Sequence, residues 1–381
     1  MIPYTTGGIP MHEYLQYHPA VFAVEKDYQI LFMTTTDGIG WIEIDGQRFT
    51  DEECGLLHYG KMHKIPVDGA LLDRTGAYTV VFVEYKEKPV YYPKGEEVIR
   101  ETYAFTPVTG DDFHLFQFAD THGAVDVPLE NFRRYEETYG KVDLLCLNGD
   151  INDSSASVDH FRVSFALASG AVEGTRPVIY SRGNHDTRGA ASELLPGYSP
   201  TAFRGGRRET FWSFRQGGLW GLVLDCGEDK YDHNIEYGGT IQFTTFRHRE
   251  TAYLKKLIAE KASEYEASGV TRKVAFCHVP FTEIFNHPFD VASEIYEEWI
   301  ALLGEMGIDL LLCGHMHASY ALPPHAEGKK DAAFPTFVSS CPVRKDEDGS
   351  PYYTGAALEA KNGILTAYVV KNGIRTEAVE Y

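Results

Sequence analysis

Five short segments of the chain place histidine, aspartate or asparagine directly after an apolar run. In order, they are Asp120-Thr121-His122, Gly149-Asp150, Gly183-Asn184-His185-Asp186, His278 and Gly314-His315-Met316-His317. Each apolar run predicts a short buried strand, and open α/β sheets bind ligands at the carboxyl ends of their strands. Any one segment could instead be a turn, a helix cap or a core histidine, but five at strand ends favour a metal site.

Seven side chains in these segments can ligate a metal, which is more than one four-coordinate site uses. They are Asp120, His122, Asp150, Asn184, His278, His315 and His317. Imidazole, carboxylate and amide groups together suit Zn, Mn or Fe rather than Ca or Mg. Two metals that share a bridging carboxylate would use all seven groups. Such ions, about 3.5–4 Å apart, can clamp both oxygens of phosphoryl transfer, and a hydroxide between them would be a ready nucleophile.

The spacing within the segments supports a common site. Asp120 and His122 are two residues apart, as are His315 and His317, so in an extended backbone both members of each pair would point the same way. A glycine directly precedes the key residue in three of the segments and permits a tight turn or a close approach of the backbone.

The elements around these segments predict an α/β fold. Strands are expected at 113–119, 142–147 and 177–180, and helices at 128–139 and 157–169. This βαβαβ order predicts a mostly parallel sheet. The second half then predicts strands within 211–225, 273–277 and 308–313, helices at 243–268 and 291–306, and short strands between 334 and 381.

The first 107 residues predict a different unit. Strands are expected at 21–24, 28–34, 40–44 and 77–85, and a hairpin at 41–49 turns on an Asp-Gly pair. Short strands at this spacing predict an all-β sandwich, of the immunoglobulin or fibronectin III kind, in residues 1–107. The catalytic domain would then comprise residues 108–381.

Composition narrows the class of protein. A chain of 381 residues with 43% hydrophobic and 24% charged residues predicts a soluble protein of two domains. Six cysteines do not form a disulfide framework in a chain of this length, and Cys146, Cys277 and Cys313, which lie inside apolar runs, predict buried thiols in a reducing compartment. With no visible signal peptide or membrane-length apolar run, we expect a cytoplasmic protein without a membrane partner. The formal net charge of −20 disfavours a nucleic acid polymer as partner.

The five segments together resemble the calcineurin-like metallophosphoesterase superfamily, whose motifs run D-x-H, G-D, G-N-H-[D/E], H and G-H-x-H. The resemblance implies a four-layer α/β/β/α sandwich, here with a smaller N-terminal all-β sandwich domain. It implies two divalent or trivalent transition metals, Mn, Fe or Zn, with Asp150 as the bridge. One ion would be held by Asp120, His122, Asp150 and His317, and the other by Asp150, Asn184, His278 and His315.

The resemblance also implies catalytic roles for His185 and Asp186. His185 would not ligate a metal but would donate a proton, or a hydrogen bond, to the phosphate and leaving group. Asp186 would orient the imidazole of His185. The domain order resembles that of purple acid phosphatases, which carry a tyrosine iron ligand three residues after the bridging aspartate. Asp153 occupies that position here, so no tyrosinate-to-iron colour is expected.

Candidates for substrate binding lie near the third motif and in a later loop. Arg182 and Arg188 flank the motif and could pair with phosphate oxygens. His233, in the polar loop 227–240 with two tyrosines, could stack on a ring of the substrate. An arginine cluster at 204–208 could be a solvated loop instead, and His287 could line the pocket.

The predicted function is hydrolysis of a phosphate mono- or diester of a small molecule by a dinuclear-metal phosphoric ester hydrolase. A nuclease is an alternative, disfavoured by the acidic balance and by the lack of basic stretches with interleaved aromatic residues. A non-catalytic interaction protein with the same fold is another alternative. It predicts missing ligands, whereas all are present.

Overall fold

A computed structural model describes residues 10–87 and 91–381 of the chain. The helices α1 to α6 are Gly69–Thr75, Asp126–Tyr139, Arg162–Val172, Leu195–Tyr198, Phe243–Ala259 and Ser293–Met306. Short 3₁₀ turns occupy His185–Thr187, Ser192–Leu194, Ile235–Tyr237 and Lys261–Ser263. No helix among the described residues combines the length and the apolar character needed to cross a membrane.

The strands fall into a large mixed sheet, a second sheet of six strands and a small hairpin. The strands β1 to β21 are Ala20–Val24, Asp27–Ile44, Gln47–Thr50, Gly60–Val67, Ala77–Glu87, Lys94–Ala104, Phe113–Phe118, Leu144–Asn148, Pro177–Ser181, Ala202–Arg204, Arg207–Glu209, Trp212–Gln216, Leu219–Val223, Arg272–Phe276, Leu310–Cys313, Ser319–Leu322, Thr336–Ser339, Cys341–Lys345, Pro351–Lys361, Ile364–Lys371 and Ile374–Glu380.

Parallel strands form the centre of both sheets. In the first sheet, β7, β8 and β9 pair in parallel, as the βαβαβ pattern predicts. In the second sheet, β13, β14, β15 and β17 pair in parallel. Parallel pairing aligns the carboxyl ends of neighbouring strands, so the loops that follow β7, β8, β9, β14 and β15 meet at common edges.

The two sheets pack face to face, with helices on the outside. Along β14, Val274 and Phe276 join the large core that also contains β7, β8 and β9, together with α2 and α3. The alternate residues Ala275 and Cys277 join a second core with α5 and α6. Because successive side chains of a strand point to opposite faces, this alternation builds the four layers α/β/β/α. The predicted fold class is confirmed.

The N-terminal strands continue the first sheet. Strand β1 pairs in parallel with β9 and antiparallel with β2, so hydrogen bonding passes without a break into the N-terminal region. The first half of the 18-residue β2 pairs with β1 and β4, and its second half pairs with β3 and β5. The predicted hairpin is confirmed as β2–β3. The domain boundary at residue 107 stays a prediction.

Several predicted boundaries were wrong. Helix α3 starts at Arg162, not at 157, because the preceding residues form turns in which the His160 ring bonds the carbonyl oxygen of Ser154 (2.6 Å). Helix α5 ends at Ala259, nine residues before its predicted end at residue 268, and a 3₁₀ turn follows it. Buried thiols are confirmed at Cys146, Cys277 and Cys313.

Candidate metal centre

Each of the five segments follows a parallel strand directly. Asp120 follows β7, Asp150 follows β8 and Asn184 follows β9 in the first sheet. His278 and His315 follow β14 and β15 in the second. The two sheets therefore contribute ligands from opposite sides of one site, as the position of the segments predicts.

The backbone at this site is left-handed rather than extended. Five of the seven expected ligands have φ between 45° and 70°, namely Asp120, His122, Asp150, His315 and His317. The premise that each pair points the same way from an extended backbone was wrong. Hydrogen bonds hold the turn instead: Asp120 N donates to Gly149 O (3.0 Å) and His122 N to Asp150 O (3.0 Å). Sparsely populated backbone conformations cluster at functional sites, because the surrounding structure must enforce them.

Two of the motif glycines are required by close approach. A Cβ on Gly149, which has a φ of +77°, would lie 2.4 Å from the ring of His278. A Cβ on Gly183 would lie 2.2 Å from Asp150 N and 2.3 Å from Asp150 Oδ1. The role expected for these glycines is confirmed, since any side chain at either position would displace an expected ligand.

One ligand group contains Asp120, His122 and His317. Their candidate ligand atoms all lie within 4.8 Å of one another. His317 Nε2 lies 3.2 Å from Asp120 Oδ1 and 3.0 Å from His122 Nε2. The carboxylate of Asp120 is fully buried, and His122 and His317 are partly exposed, so the group opens toward solvent on its imidazole side.

A second group contains Asp150, His278 and His315, again within 4.8 Å. His278 Nε2 lies 3.1 Å from Asp150 Oδ2, while its Nδ1 donates to the carbonyl oxygen of Asn148 at 2.8 Å. That bond fixes the tautomer and leaves Nε2 free to ligate. Asn184 joins through its Oδ1, 3.0 Å from His315 Nδ1.

The donor set fits metal ions. Asp120 Oδ1 and His278 Nε2 are buried and make no hydrogen bond of good geometry, although His317 Nε2 lies 3.2 Å from the first and Asp150 Oδ2 lies 3.1 Å from the second. Asp120 Oδ1 also lies 3.8 Å from both His122 Nε2 and His278 Nε2, so it stands between the two groups. Buried polar atoms without a well-formed hydrogen bond are costly, and a cation bound between them would satisfy them. The expectation that Asp150 bridges the two ions stays a prediction.

The charges of the second ligand group shift the pKa values of its members in different directions. Burial alone would lower the pKa of His278, but the carboxylates of Asp150 and Asp120 outweigh it and raise that pKa to about 10. Burial opposes ionisation of Asp150, yet His278 holds the pKa of its carboxyl below the usual range. For His315, burial and the neighbouring His278 lower the pKa to about 4.

His185 lies beside the first group. Its ring centroid is 4.7 Å from that of His122, and its backbone N–H donates to Asp150 Oδ1 (2.8 Å). Its Nε2 lies 3.0 Å from Arg188 Nη1, and its Nδ1 lies 2.9 Å from the carbonyl oxygen of Asp153. Because a guanidinium only donates, Nε2 accepts and the ring proton resides on Nδ1.

Asp186 does not contact the His185 ring, contrary to expectation. Its buried carboxylate accepts from the backbone N–H of Gly183 (2.9 Å) and of Asn152 (3.2 Å). Burial, together with Asp150, raises the pKa of Asp186 to about 6. Asp186 therefore links the loop after β8 to the loop after β9. The carbonyl oxygen of Asp153, rather than the Asp186 carboxylate, accepts the hydrogen bond from His185 Nδ1.

The three expected substrate-binding residues have different positions. Arg182 pairs with the buried Asp225 at 2.8 Å, so its guanidinium is already used inside the fold. His233 is exposed and stacks on Tyr231, with ring centroids 5.5 Å apart, and it belongs to neither ligand group. Of the three, only Arg188 is placed beside His185.

Sequence reasoning missed the residues that support Arg188 and His122. Glu228 accepts from Arg188 Nε (3.0 Å) and Nη2 (2.9 Å), and Asp229 accepts from Nη2 at 3.0 Å. Asp153 Oδ1 lies 3.4 Å from His122 Nδ1. Asp153 could have been found from the sequence, because it lies three residues after Asp150 in the second motif. Glu228 and Asp229 could not, because they lie 40 residues or more from Arg188.

The comparisons with known proteins agree with this architecture. The sequence profile of the calcineurin-like phosphoesterase family matches residues 113–319, more than half of the chain. None of the curated protein sequences matches the chain.

One solved structure shows a similar fold over more of the chain. A purple acid phosphatase from yellow lupin seeds, 11% identical, superposes with a TM-score of 0.64 over 96% of this chain and 73% of its own. A dimetal phosphatase from Danio rerio, 12% identical, covers 72% of this chain and 98% of its own at a TM-score of 0.47. The fold comparison therefore rests on the lupin enzyme. Since the profile match spans the five motifs that build the site, the chain belongs to the calcineurin-like phosphoesterase family.

Proposed function

We propose that the protein is a dinuclear-metal-dependent phosphoesterase that hydrolyses a phosphate mono- or diester of a small molecule. The observation that supports this most is the pair of adjacent ligand groups, each with three candidate ligand atoms within 4.8 Å, contributed by both sheets. Structural metal sites use four closed ligands, whereas two adjacent, partly open groups suit catalysis.

Each ion would have its own protein ligands. Asp120, His122 and His317 would hold one, and His278, His315 and Asn184 the other, with Asp150 shared. When bound, such ions act as Lewis acids toward phosphate oxygens and lower the pKa of an attacking water. Manganese, iron and zinc all match the mixture of imidazole and oxygen donors.

The remaining polar groups would serve the phosphate and the leaving group. Arg188 can pair with a phosphate oxygen, because Glu228 and Asp229 hold its guanidinium beside His185. His185 keeps one proton on Nδ1 and offers Nε2 toward Arg188. Once protonated on Nε2, His185 can donate to the leaving oxygen as a general acid.

Hydrolysis assays with His185→Ala test this assignment. With manganese, the wild type should cleave p-nitrophenyl phosphate or its bis ester. His185→Ala should retain its metal and lose about 10²–10⁴ in kcat, most for poor leaving groups, because proton donation matters most there. The control is His325→Ala, which removes an exposed histidine paired with Asp331 and should behave as the wild type. A wild type that binds metal but cleaves neither ester would favour the interaction-protein alternative.

A further inference from the structure

Two buried cysteines lie against each other next to the second ligand group. Cys226 Sγ lies 3.4 Å from Cys277 Sγ; Cys226 is 2% exposed and Cys277 is fully buried. Cys277 directly follows β14, and Cys226 lies in the loop after β13, which pairs in parallel with β14. Because the S–S bond of a disulfide is about 2.0 Å long, the two sulfur atoms need to approach by only about 1.4 Å to form one.

The surroundings of Cys226 favour its reactive form. The buried Arg247 guanidinium donates from Nε to Cys226 O (2.8 Å), and its Nη1 makes no hydrogen bond. Burial alone would raise the pKa of the Cys226 thiol. The hydrogen bond with Cys277 is the largest effect against burial, and with Tyr296 and Arg247 it lowers that pKa. Since the thiolate is the nucleophile in thiol oxidation, Cys226 is the residue that would react first.

A narrow cleft at the metal centre lies close to Cys226. Glu228, Val279, Tyr296 and His315 are among the residues that line it, and it has room for about one water molecule. The carbonyl oxygen of Val279 lies 4.0 Å from Cys226 Sγ, so the wall of the cleft adjoins the thiol. An oxidant that reaches the thiol through so narrow a passage must be small and uncharged, as hydrogen peroxide is.

We propose that Cys226 and Cys277 form a reversible disulfide when hydrogen peroxide oxidises them, and that this disulfide weakens the binding of the second metal ion. In the first step the Cys226 sulfur attacks the peroxide: an S–O bond forms, the O–O bond breaks, and the leaving hydroxide takes the thiol proton as water. In the second step the Cys277 sulfur attacks the sulfenic acid: the S–S bond forms, the S–O bond breaks, and a second water leaves with the Cys277 proton. Two thiols are oxidised and one peroxide is reduced to two waters.

The effect on the metal follows from the position of Cys277 directly before His278. His278 Nδ1 is held by Asn148 O at 2.8 Å, and its carbonyl oxygen accepts from Gly314 N at 2.9 Å. Closing the two sulfur atoms displaces the backbone next to this expected ligand. A misplacement of about 1 Å at an active site can reduce the rate about 100-fold, so the second ion should be held less tightly after oxidation. This regulation goes beyond the proposed function, and the disulfide itself does not depend on hydrolysis.

Peroxide oxidation of Cys54→Ser, which lacks the exposed thiol, provides the test. A limited amount of hydrogen peroxide should consume two thiols per chain, and mass spectrometry of the digested protein should find Cys226 linked to Cys277. A manganese titration monitored by calorimetry should then show the second ion bound about 10–100-fold more weakly and the first ion bound as before. Dithiothreitol should restore both the thiols and the affinity.

Two further variants in the same background separate this pair from other thiols. Cys226→Ala should keep its affinity for the second ion after peroxide treatment. Cys313→Ala is the matched control and should still form the cross-link, although the register of β14 and β15 sets Cys313 opposite Cys277.

Three results would overturn the inference: no cross-link after oxidation, a link between Cys277 and Cys313 instead, or an unchanged affinity for the second ion in the cross-linked protein. A protein that forms the Cys226–Cys277 link and loses affinity for the second ion, but in its reduced, metal-loaded form cleaves no phosphate ester, would contradict the proposed function and leave this inference standing.

Discussion

At the scale of single residues, the site depends on side chains that hold the ligands as well as on the ligands. The imidazole of His122 presents Nε2 to the first ligand group, and its buried Nδ1 lies 3.4 Å from the Asp153 carboxylate. Metal-ligating histidines usually donate their other ring N–H to a carboxylate or carbonyl, which fixes the ring orientation. His122 Nδ1 makes no hydrogen bond in the structure, and we expect the Asp153 carboxylate, 3.4 Å away, to position this ring when the first ion binds.

Asp153→Ala should lower the affinity of the first ion by about 10–100-fold and leave the second close to wild type. A metal titration monitored by calorimetry measures the affinity of each of the two metal ions separately. Asp159→Ala, which removes an exposed carboxylate paired with Arg162, is the matched control. Equal affinities in the wild type and Asp153→Ala would show that the His122 ring needs no such support.

Gly183→Ala should disturb the site through contact with the backbone. The Cβ of the new alanine would lie 2.2 Å from Asp150 N, so the end of β8 or the end of β9 must shift. We expect this shift to lower the free energy of unfolding by about 1–3 kcal/mol. A Cβ at Gly197 would meet no atom within 4 Å, so Gly197→Ala should leave the free energy of unfolding unchanged or raise it slightly. Thermal unfolding compares the two variants. Similar melting temperatures for both would contradict the close approach at Gly183.

At the scale of elements, β7, α2 and β21 meet around a half-buried histidine. His114 Nε2 lies 2.6 Å from the Tyr135 hydroxyl and 3.3 Å from Arg375 Nη2. Burial and the positive charge of Arg375 lower the pKa of His114 to about 4, from an ordinary value of 6.5, against a weaker opposing effect of Glu359.

Protonation of His114 should therefore destabilise the fold in acid. Between pH 6.5 and 4 the unfolded state binds a proton that the folded state does not, so this stability is present above pH 6.5 and is lost as the pH falls toward 4. The loss is on the order of 3 kcal/mol. Denaturant unfolding of the wild type and His114→Gln across this range isolates the effect. A pH-independent difference between the two would refute it.

The strands that lead to the site were predictable, because the local pattern of apolar and polar residues determines where they form. The strands β7, β8, β9, β14 and β15 are short apolar runs that stop at polar residues, and each lies within two residues of its expected position. The turn conformations after them were not predictable, since the left-handed backbone of Asp120 and His122 is held by hydrogen bonds to the loop after β8. The pairing of Arg182 with Asp225 spans 43 residues and depends on how the sheets pack.

At the scale of the whole molecule, the N-terminal region supports the loop that carries His185. Lys64 on β4 donates to the carbonyl oxygens of Pro196 (3.1 Å) and Ser199 (2.8 Å). Gln29 on β2 exchanges two hydrogen bonds with the backbone of Thr201. The spacing of strand-like segments and turns predicted an all-β region, but its parallel junction joins residues 21–22 to 177–178 and has no local signal in the sequence.

Seven side chains from the two sheets are expected to hold two metal ions. Metal analysis of the reconstituted protein, with Asp150→Asn and Asp120→Asn beside the wild type, measures this. We expect two equivalents in the wild type, weaker binding of both ions in Asp150→Asn, and weaker binding mainly of the first ion in Asp120→Asn. A wild type that takes up one equivalent or none, with variants indistinguishable from it, would show that these side chains do not form a dinuclear site.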